Sequence, residues 1–465
     1  MDKYSSQAFL DRLWSGMRRG GSTCCQCGLE IGPTEVLVRT FALQTSGFRD
    51  IHKYTEKIEV HTIAEAILVY HRHLSCLLES TKYVTVSHVW HPAVADLQYR
   101  RGSSDASIEE VASIVREVPP RIYLALAKII QQPFEVWHDY ISVPQWQDDI
   151  KISIIEAIPM IFKQAFLTVA YLSDIESSTV NAMRNGKSMQ TRVRGISDIC
   201  NAKWFSRTWT AMELVQSHQL LAMLKDYVIL DDGNSSNGGG SGRGLFVEEL
   251  SKAWSAEVRA RGDSHKVEDM AEIGKNLVPW QLGPLTLIRE CNLRGQRVTF
   301  AMAYELLACR CVTNRRDFFH ALLGVVDTGL TEAELSADEP TAMLQVARGC
   351  LANGTGDYSP LFMIPRRRRH TQCEDGEGEE EEEEEDARKT SRRGYLDLKI
   401  FVLGHPERAP AITDIRLRPD GVTIRAEVVG TVAFATREHD VSDQGAIYPP
   451  LLASLESQKP ISLSY

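Results

Sequence analysis

An α/β fold built on a parallel sheet is the class this sequence predicts, on three observations. Residues 134–174 run strand, helix, strand within about 40 residues, the pattern of a right-handed parallel crossover. A period-2 segment, Lys82–Trp90, supplies a further strand ahead of it. Apolar-periodic helices lie between the two, so strand and helix alternate as in doubly wound domains.

The alternation can be followed along the chain. Tyr83, Thr85 and Ser87 alternate with Val84, Val86 and His88, and a loop is expected at His91-Pro92. After a polar insert at 100–107, Ile108, Val111 and Val115 mark a helix that Pro119-Pro120 should interrupt. Ile122, Leu126, Ile129 and Ile130 carry a second helix. Val136, Trp137, Tyr140, Ile141 and Val143 predict the next strand, ending near Pro144, which donates no ladder hydrogen bond. Asp148 or Asp149 then caps a helix with the stripe Ile150, Ile154, Ile158 and Phe162, and Pro159 should kink or stop it. The apolar run Phe166–Leu172 closes the unit. Sites in such sheets lie at the carboxyl ends of strands, which puts Asp139–Gln147 on the functional edge.

Around this centre, residues 1–80 read as a mostly helical, partly irregular extension, and 81–230 as the α/β domain. Within the domain, 176–200 reads as a polar loop and 201–224 as strongly helical. Residues 231–244, DDGNSSNGGGSGRG, read as a linker, 245–360 as a helical region, and 395–465 as a small β-rich element. The basic-then-acidic segment 361–394 is too poor in apolar residues to fold by itself.

The chain has 465 residues, 43% of them hydrophobic, enough for at least one full core. No run of 18 apolar residues appears, and the N-terminus lacks a secretory apolar core, so a soluble, cytoplasmic protein without a membrane span is expected. Ten cysteines without framework spacing point to reduced thiols. Cys24 and Cys27 have the CxxC spacing of a zinc knuckle. No second CxxC or HxxxH pair follows at the usual distance, so no metal is expected. The formal charge of −10 is concentrated in residues 374–386, and the remainder is close to neutral, which gives no reason to expect a nucleic-acid partner. Arg366–Arg369 reads either as a nuclear-localisation signal or as a solvated cluster beside its acidic neutraliser.

Four segments in order carry a resemblance: Val86-Ser87-His88-Val89-Trp90, then Trp137–Gln145 (WHDYISVPQ), then Ile161–Asp174 (IFKQAFLTVAYLSD), then Arg207–Glu213 (RTWTAME). Together they resemble the fungal heterokaryon-incompatibility (HET) domain, with its LSYVWG, WIDxxCINQ, IYxxAxxVxxWLG and RxWTxQE motifs. Arg316–Gly324 (RDFFHALLG) is similar to the DxVYALLG segment that follows the domain. His88 stands where the family has Tyr, His91 where it has Gly, Pro144 where it has Asn, and Met212 where it has Gln. A domain that has lost its ligand and serves as a scaffold is therefore one reading.

HET domains are similar to the TIR fold, so the resemblance implies a flavodoxin/TIR-like parallel sheet with flanking helices. It also implies non-self recognition, fungal innate immunity and programmed cell death, with protein partners or self-association through the α/β domain. Some TIR-like proteins cleave NAD at the nicotinamide–ribose bond with a helix-borne glutamate. By that analogy Glu213 is the catalytic candidate and NAD the implied substrate. The plainer reading makes Thr210–Glu213 a capping box.

Ser87 and Trp90, at the end of the first strand, either line a nucleotide pocket or pack the loop. Asp139 either bonds a ribose hydroxyl or caps the following turn, and Gln145 either reads a ligand or satisfies loop backbone. Trp209 shares a stripe with Glu213, as a ligand neighbour or as core beside Trp204 and Phe205. His88, His91 and His138 are expected near one sheet edge.

Overall fold

Seven strands form one sheet, in two halves of opposite character. β1 (Leu37–Gln44), β2 (Thr55–Glu59) and β3 (Ala66–His73) pair antiparallel; β4 (Tyr83–His88), β5 (Glu135–Trp137), β6 (Leu167–Leu172) and β7 (Leu220–Leu224) pair parallel. The order is β2-β3-β1-β5-β4-β6-β7, and the halves meet where Phe41 opposes Val136. The computed structural model describes residues 5–15, 17, 22–44, 55–59, 66–99, 105–230, 246–262, 282–308, 310–312, 315–352, 357, 359, 363–365, 398–400, 411–418, 421–427 and 461–463.

Helices cover both faces, so β4 and β6 are buried throughout and read as nearly continuous apolar runs. Their side chains still alternate. Val84, Val86, Val169 and Tyr171 join one core with α1 (Ser6–Trp14), α3 (Pro92–Tyr99) and α4 (Asp105–Ala127). Tyr83, Ala170 and Leu172 join the other with α6 (Asp148–Gln164), which follows the single turn α5 (Asp139–Ser142). That second core also takes in α7 (Ser177–Asn185), α8 (Met189–Cys200), α9 (Lys203–Ser206) and α10 (Thr208–Gln216). Beyond β7 it continues through α11 (Phe246–Gly262), α12 (Leu282–Leu293), α13 (Phe300–Ala308), α14 (Arg315–Val325) and α15 (Glu339–Ala352).

Several sequence expectations are corrected. Residues 1–80 are not mostly helical: β1, β2, β3 and the short α2 (Leu74–Ser80) follow α1. β1 and β3 are buried on both faces, so they lack alternation, and the buried Arg39 and Arg72 break their apolar runs. The strand before Pro144 is only Glu135–Trp137, because the chain turns into α5 behind the N-capping His138. α4 runs through Pro119 and Pro120, both buried, and α6 runs through Pro159. Pro159 packs close to Gly324, where an added Cβ would stand 2.8 Å from its ring and 3.0 Å from Met212. Gln147 stands at the N-cap position of α6 without a side-chain capping bond, leaving Asp148 and Asp149 in the first turn, where they suit the helix dipole.

Residues 176–200 are two helices, not a loop. Val180, Met183, Val193, Ile196 and Ile199 are their buried stripes, and a Cβ at Gly195 would lie 2.6 Å from Met183 N. The 201–224 segment divides into α9, α10 and β7. The linker at 231–244 and the acidic run at 374–386 lie outside the described residues. Residues 400–465 form a second unit, in which Ala411–Arg418 pairs antiparallel with Gly421–Glu427, and the latter with Ile461–Leu463.

A buried ion pair bridges the two halves of the sheet. The Arg72 guanidinium, 1% exposed, donates to both Glu135 carboxylate oxygens at 2.6 Å, and Thr40 donates to Glu135 Oε2 at 2.5 Å. Arg72→Met should cost about 3–5 kcal/mol by taking the guanidinium counter-charge from a buried carboxylate. It would appear as a lower urea midpoint, and Arg72→Met/Glu135→Leu should recover most of the loss. Equal losses in both variants would show that packing, not charge, dominates.

Candidate functional site

β4 lies inside the parallel half and ends in Ser87-His88, so these two side chains emerge at the edge where such sheets bind ligands. The fully buried Ser87 hydroxyl donates to Glu213 Oε2 at 2.6 Å and accepts from the Trp204 indole at 2.9 Å. Trp204 comes from α9 and Glu213 from α10, elements split at the extended Arg207. The split is held from the chain beyond: Cys311 N–H donates to Ser206 O at 2.7 Å, and the Arg310 guanidinium donates to Phe205 O. At the other end of α10, the buried Arg289 guanidinium donates to Leu214 O at 2.7 Å and Ser217 O at 2.6 Å. Both ends of the Glu213 helix are thus fixed by α12 and the turn before α14.

The capping box is corrected. Thr210 lies inside the first turn of α10, and its hydroxyl donates to Trp204 O at 2.5 Å and Arg207 O at 2.9 Å. Glu213 spends its carboxylate on Ser87 instead.

Beside this pair lies an ionic and aromatic cluster centred on Asp139. Asp139 Oδ1 meets His88 Nε2 at 2.5 Å, and Oδ2 accepts from the Trp90 indole. The His88 ring lies 4.3 Å from that of His138 and 4.7 Å from that of Tyr140, and Trp90 is edge-on to Tyr140 at 5.5 Å. Tyr140 Oη accepts from the His91 N–H at 2.8 Å. His88, His138 and Asp139 offer ligand atoms within 4.8 Å of one another. Ligands on one tetrahedral zinc stand about 3.3 Å apart, so the 2.5 Å His88–Asp139 contact reads as a charge-assisted hydrogen bond.

Burial opposes charge on His88, but Asp139, the bond to it and Glu213 outweigh burial and raise its pKa. Burial also opposes the Asp139 carboxylate, and His88 and His138 reverse that and hold it well below the usual range. His138, buried and beside His88, is pushed down to about 4 and is neutral at pH 7. Burial pushes Glu213 up to about 8, against the Ser87 hydrogen bond and with the help of Asp139. Glu213 nonetheless keeps partial exposure.

Of the sequence candidates, Ser87 and Glu213 are brought into contact, as are Trp90 and Asp139, and neighbouring Ser87 and His88 join the two pairs. Gln145 is buried and donates to Val143 O at 3.1 Å. Trp209 turns toward α14, stacking with His320 at 6.1 Å and bonding Asp317. Neither shares a described hydrogen bond or ring contact with Ser87, Asp139 or Glu213. His88 and Trp204 are participants that the sequence places only as an edge histidine and a core aromatic.

Asp139→Asn removes the charge that supports His88. The His88 imidazole, which should titrate above its ordinary value in the native protein, is expected to fall, because Asp139 is the largest influence opposing burial and only Glu213 and the Val89 carbonyl then remain against it. Nitrogen-15 NMR of the histidines reads this directly. Stability follows the same signs. The Asp139 contribution is present at neutral pH and lost on acidification, whereas that of His88 is full below its ordinary value and lost as pH rises through the raised one.

Residues 83–213 match the model of the family described as heterokaryon incompatibility protein (HET). Comparisons with curated proteins and with solved structures gave no match. The matched span runs from the first residue of β4 to Glu213 and holds every residue of the two joined clusters, so residues 83–213 of this chain are a heterokaryon-incompatibility (HET) domain.

Proposed function

We propose that this HET domain is the effector of a fungal non-self-recognition response ending in regulated cell death, and that it acts by TIR-like cleavage of the nicotinamide–ribose bond of NAD. The observation that supports the chemistry is a half-buried carboxylate, Glu213, held 2.6 Å from Ser87 at the carboxyl end of a parallel strand. In the reaction the C1′–N bond breaks and its electron pair goes to the pyridinium nitrogen, releasing neutral nicotinamide. The ribose becomes oxocarbenium-like, and the ionised Glu213 stabilises it. Water adds at C1′ and gives up a proton, leaving ADP-ribose. A carboxyl raised to about 8 is mostly protonated at pH 7, and the pyridinium cation placed beside it favours ionisation. His88 and Trp90 already occupy both Asp139 oxygens, so Asp139 acts by fixing Trp90, whose half-exposed indole offers a stacking surface for a base.

A second reading, a non-catalytic interaction module, is favoured by Ile152 and Met160. They are 51% and 50% exposed on α6, about two turns apart, a placement suited to self-association. The full-length protein incubated with NAD separates the readings. Glu213→Gln is expected to lower nicotinamide release by about 100-fold or more and to abolish toxicity in a fungal host. In the native protein kcat/KM should rise with pH to a plateau above about 8, because the ionised carboxylate is the active form. Toxicity that survives Glu213→Gln, without nicotinamide release from either protein, supports the module.

A further inference from the structure

The structure assigns a structural zinc site to Cys24, Cys27, His73 and Cys76, remote in function from the Glu213 cluster. The four ligand atoms lie within 4.8 Å of one another. Cys27 Sγ and Cys76 Sγ stand 3.5 Å and 3.8 Å from His73 Nδ1. With zinc–sulfur near 2.3 Å and zinc–nitrogen near 2.05 Å, the sulfur–nitrogen edge of a tetrahedron is about 3.6 Å. Two sulfur–nitrogen edges therefore already match a metal tetrahedron, the other ligand atoms lie within 4.8 Å, and the contributing cysteines are thiols rather than half-cystines.

Three further features fit metal ligation. Cys24-Cys25-Gln26-Cys27-Gly28 folds as a knuckle: Gly28 N–H donates to Cys24 O at 2.9 Å, with Gly28 at φ +74, a left-handed conformation that glycine adopts without strain. The second ligand pair is spaced His-x-x-Cys, from the last residue of β3 into the first turn of α2, which points both side chains the same way. The remaining His73 nitrogen, Nε2, faces Glu30 O at 3.3 Å and a Glu35 carboxylate oxygen at 3.4 Å. That is the partner set that fixes a ligating histidine with its other nitrogen toward the metal. Three thiolates and one imidazole select zinc over the hard divalent cations, and four protein ligands leave no position for substrate, so the site is structural.

Its location says what it stabilises. Gln26, inside the knuckle, accepts from Arg72 Nε at 3.3 Å and from the Thr81 hydroxyl at 2.9 Å, and Cys25 N–H donates to His71 O at 2.9 Å. The metal would staple the loop before β1 to the end of β3, next to the ion pair that joins the sheet halves.

Full-length protein from zinc-replete medium, purified under reducing conditions, should carry one equivalent of zinc by elemental analysis. Cobalt replacement should give the intense visible bands of a tetrahedral thiolate site. Cys27→Ser, at the exposed ligand, and Cys76→Ser should each lose the metal and lower the Tm, while Cys311→Ser, outside the cluster, keeps the metal. Should Cys27→Ser fail to fold, the cobalt spectrum of the native chain still decides. Absence of zinc and cobalt from the reduced native protein, or undiminished metal in both ligand variants, would overturn the assignment.

Discussion

The hydrogen bond from Ser87 to Glu213 is the interaction on which the reading of this protein turns, because it unites parts of the chain with different folding origins. Ser87 is carried by a strand buried on both faces. Glu213 is carried by a nine-residue helix, α10, too short to persist by itself in water. Its placement depends on Arg289 at one end and the Arg310–Cys311 turn at the other. A further polar chain ties the same helix to the sheet: Ser217 donates to Thr168 at 2.7 Å, and Thr168 contacts Thr85 at 2.8 Å. Residues beyond the matched family span therefore take part in holding the candidate site in register, and the helices after β7 belong to one core with the sheet.

Charge arrangement is the second constraint. Two carboxylates lie near each other in unlike environments. Asp139 is saturated by histidine and indole and stays ionised, while burial outweighs the Ser87 hydroxyl, His88 and Arg207 at Glu213 and pushes it toward neutrality. Carboxyl groups whose environments drive their pKa values apart are the usual arrangement where one group holds structure or charge and the other exchanges a proton. The raised Glu213 carries the proposed chemistry, and Asp139 acts as the anchor of the His88–Trp90 arm.

How much of this was legible in the sequence follows from where burial is one-sided. α6, with its Ile150, Ile154, Ile158 stripe, and the apolar runs of β4 and β6 could be read directly. The antiparallel half could not, since β1 and β3 bury charged residues, Arg39 and Arg72, whose partners lie far along the chain. α7 and α8 were hidden because their exposed faces are polar and their buried stripes are thin. Glu213 and Ser87 stood out only through motif order, as 126 residues separate them. Cys24–Cys27 showed half a metal site, and its other half, spaced His-x-x-Cys and 46 residues on from Cys27, matched no common spacing.

The ionisation of Glu213 connects the fold to the proposed reaction, and infrared difference spectroscopy can follow its carboxyl stretch against a Glu213→Gln reference. The account predicts a protonated carboxyl at neutral pH that titrates at about 8 and becomes ionised when NAD binds. A Glu213 already ionised at pH 6 and unaffected by NAD would contradict it.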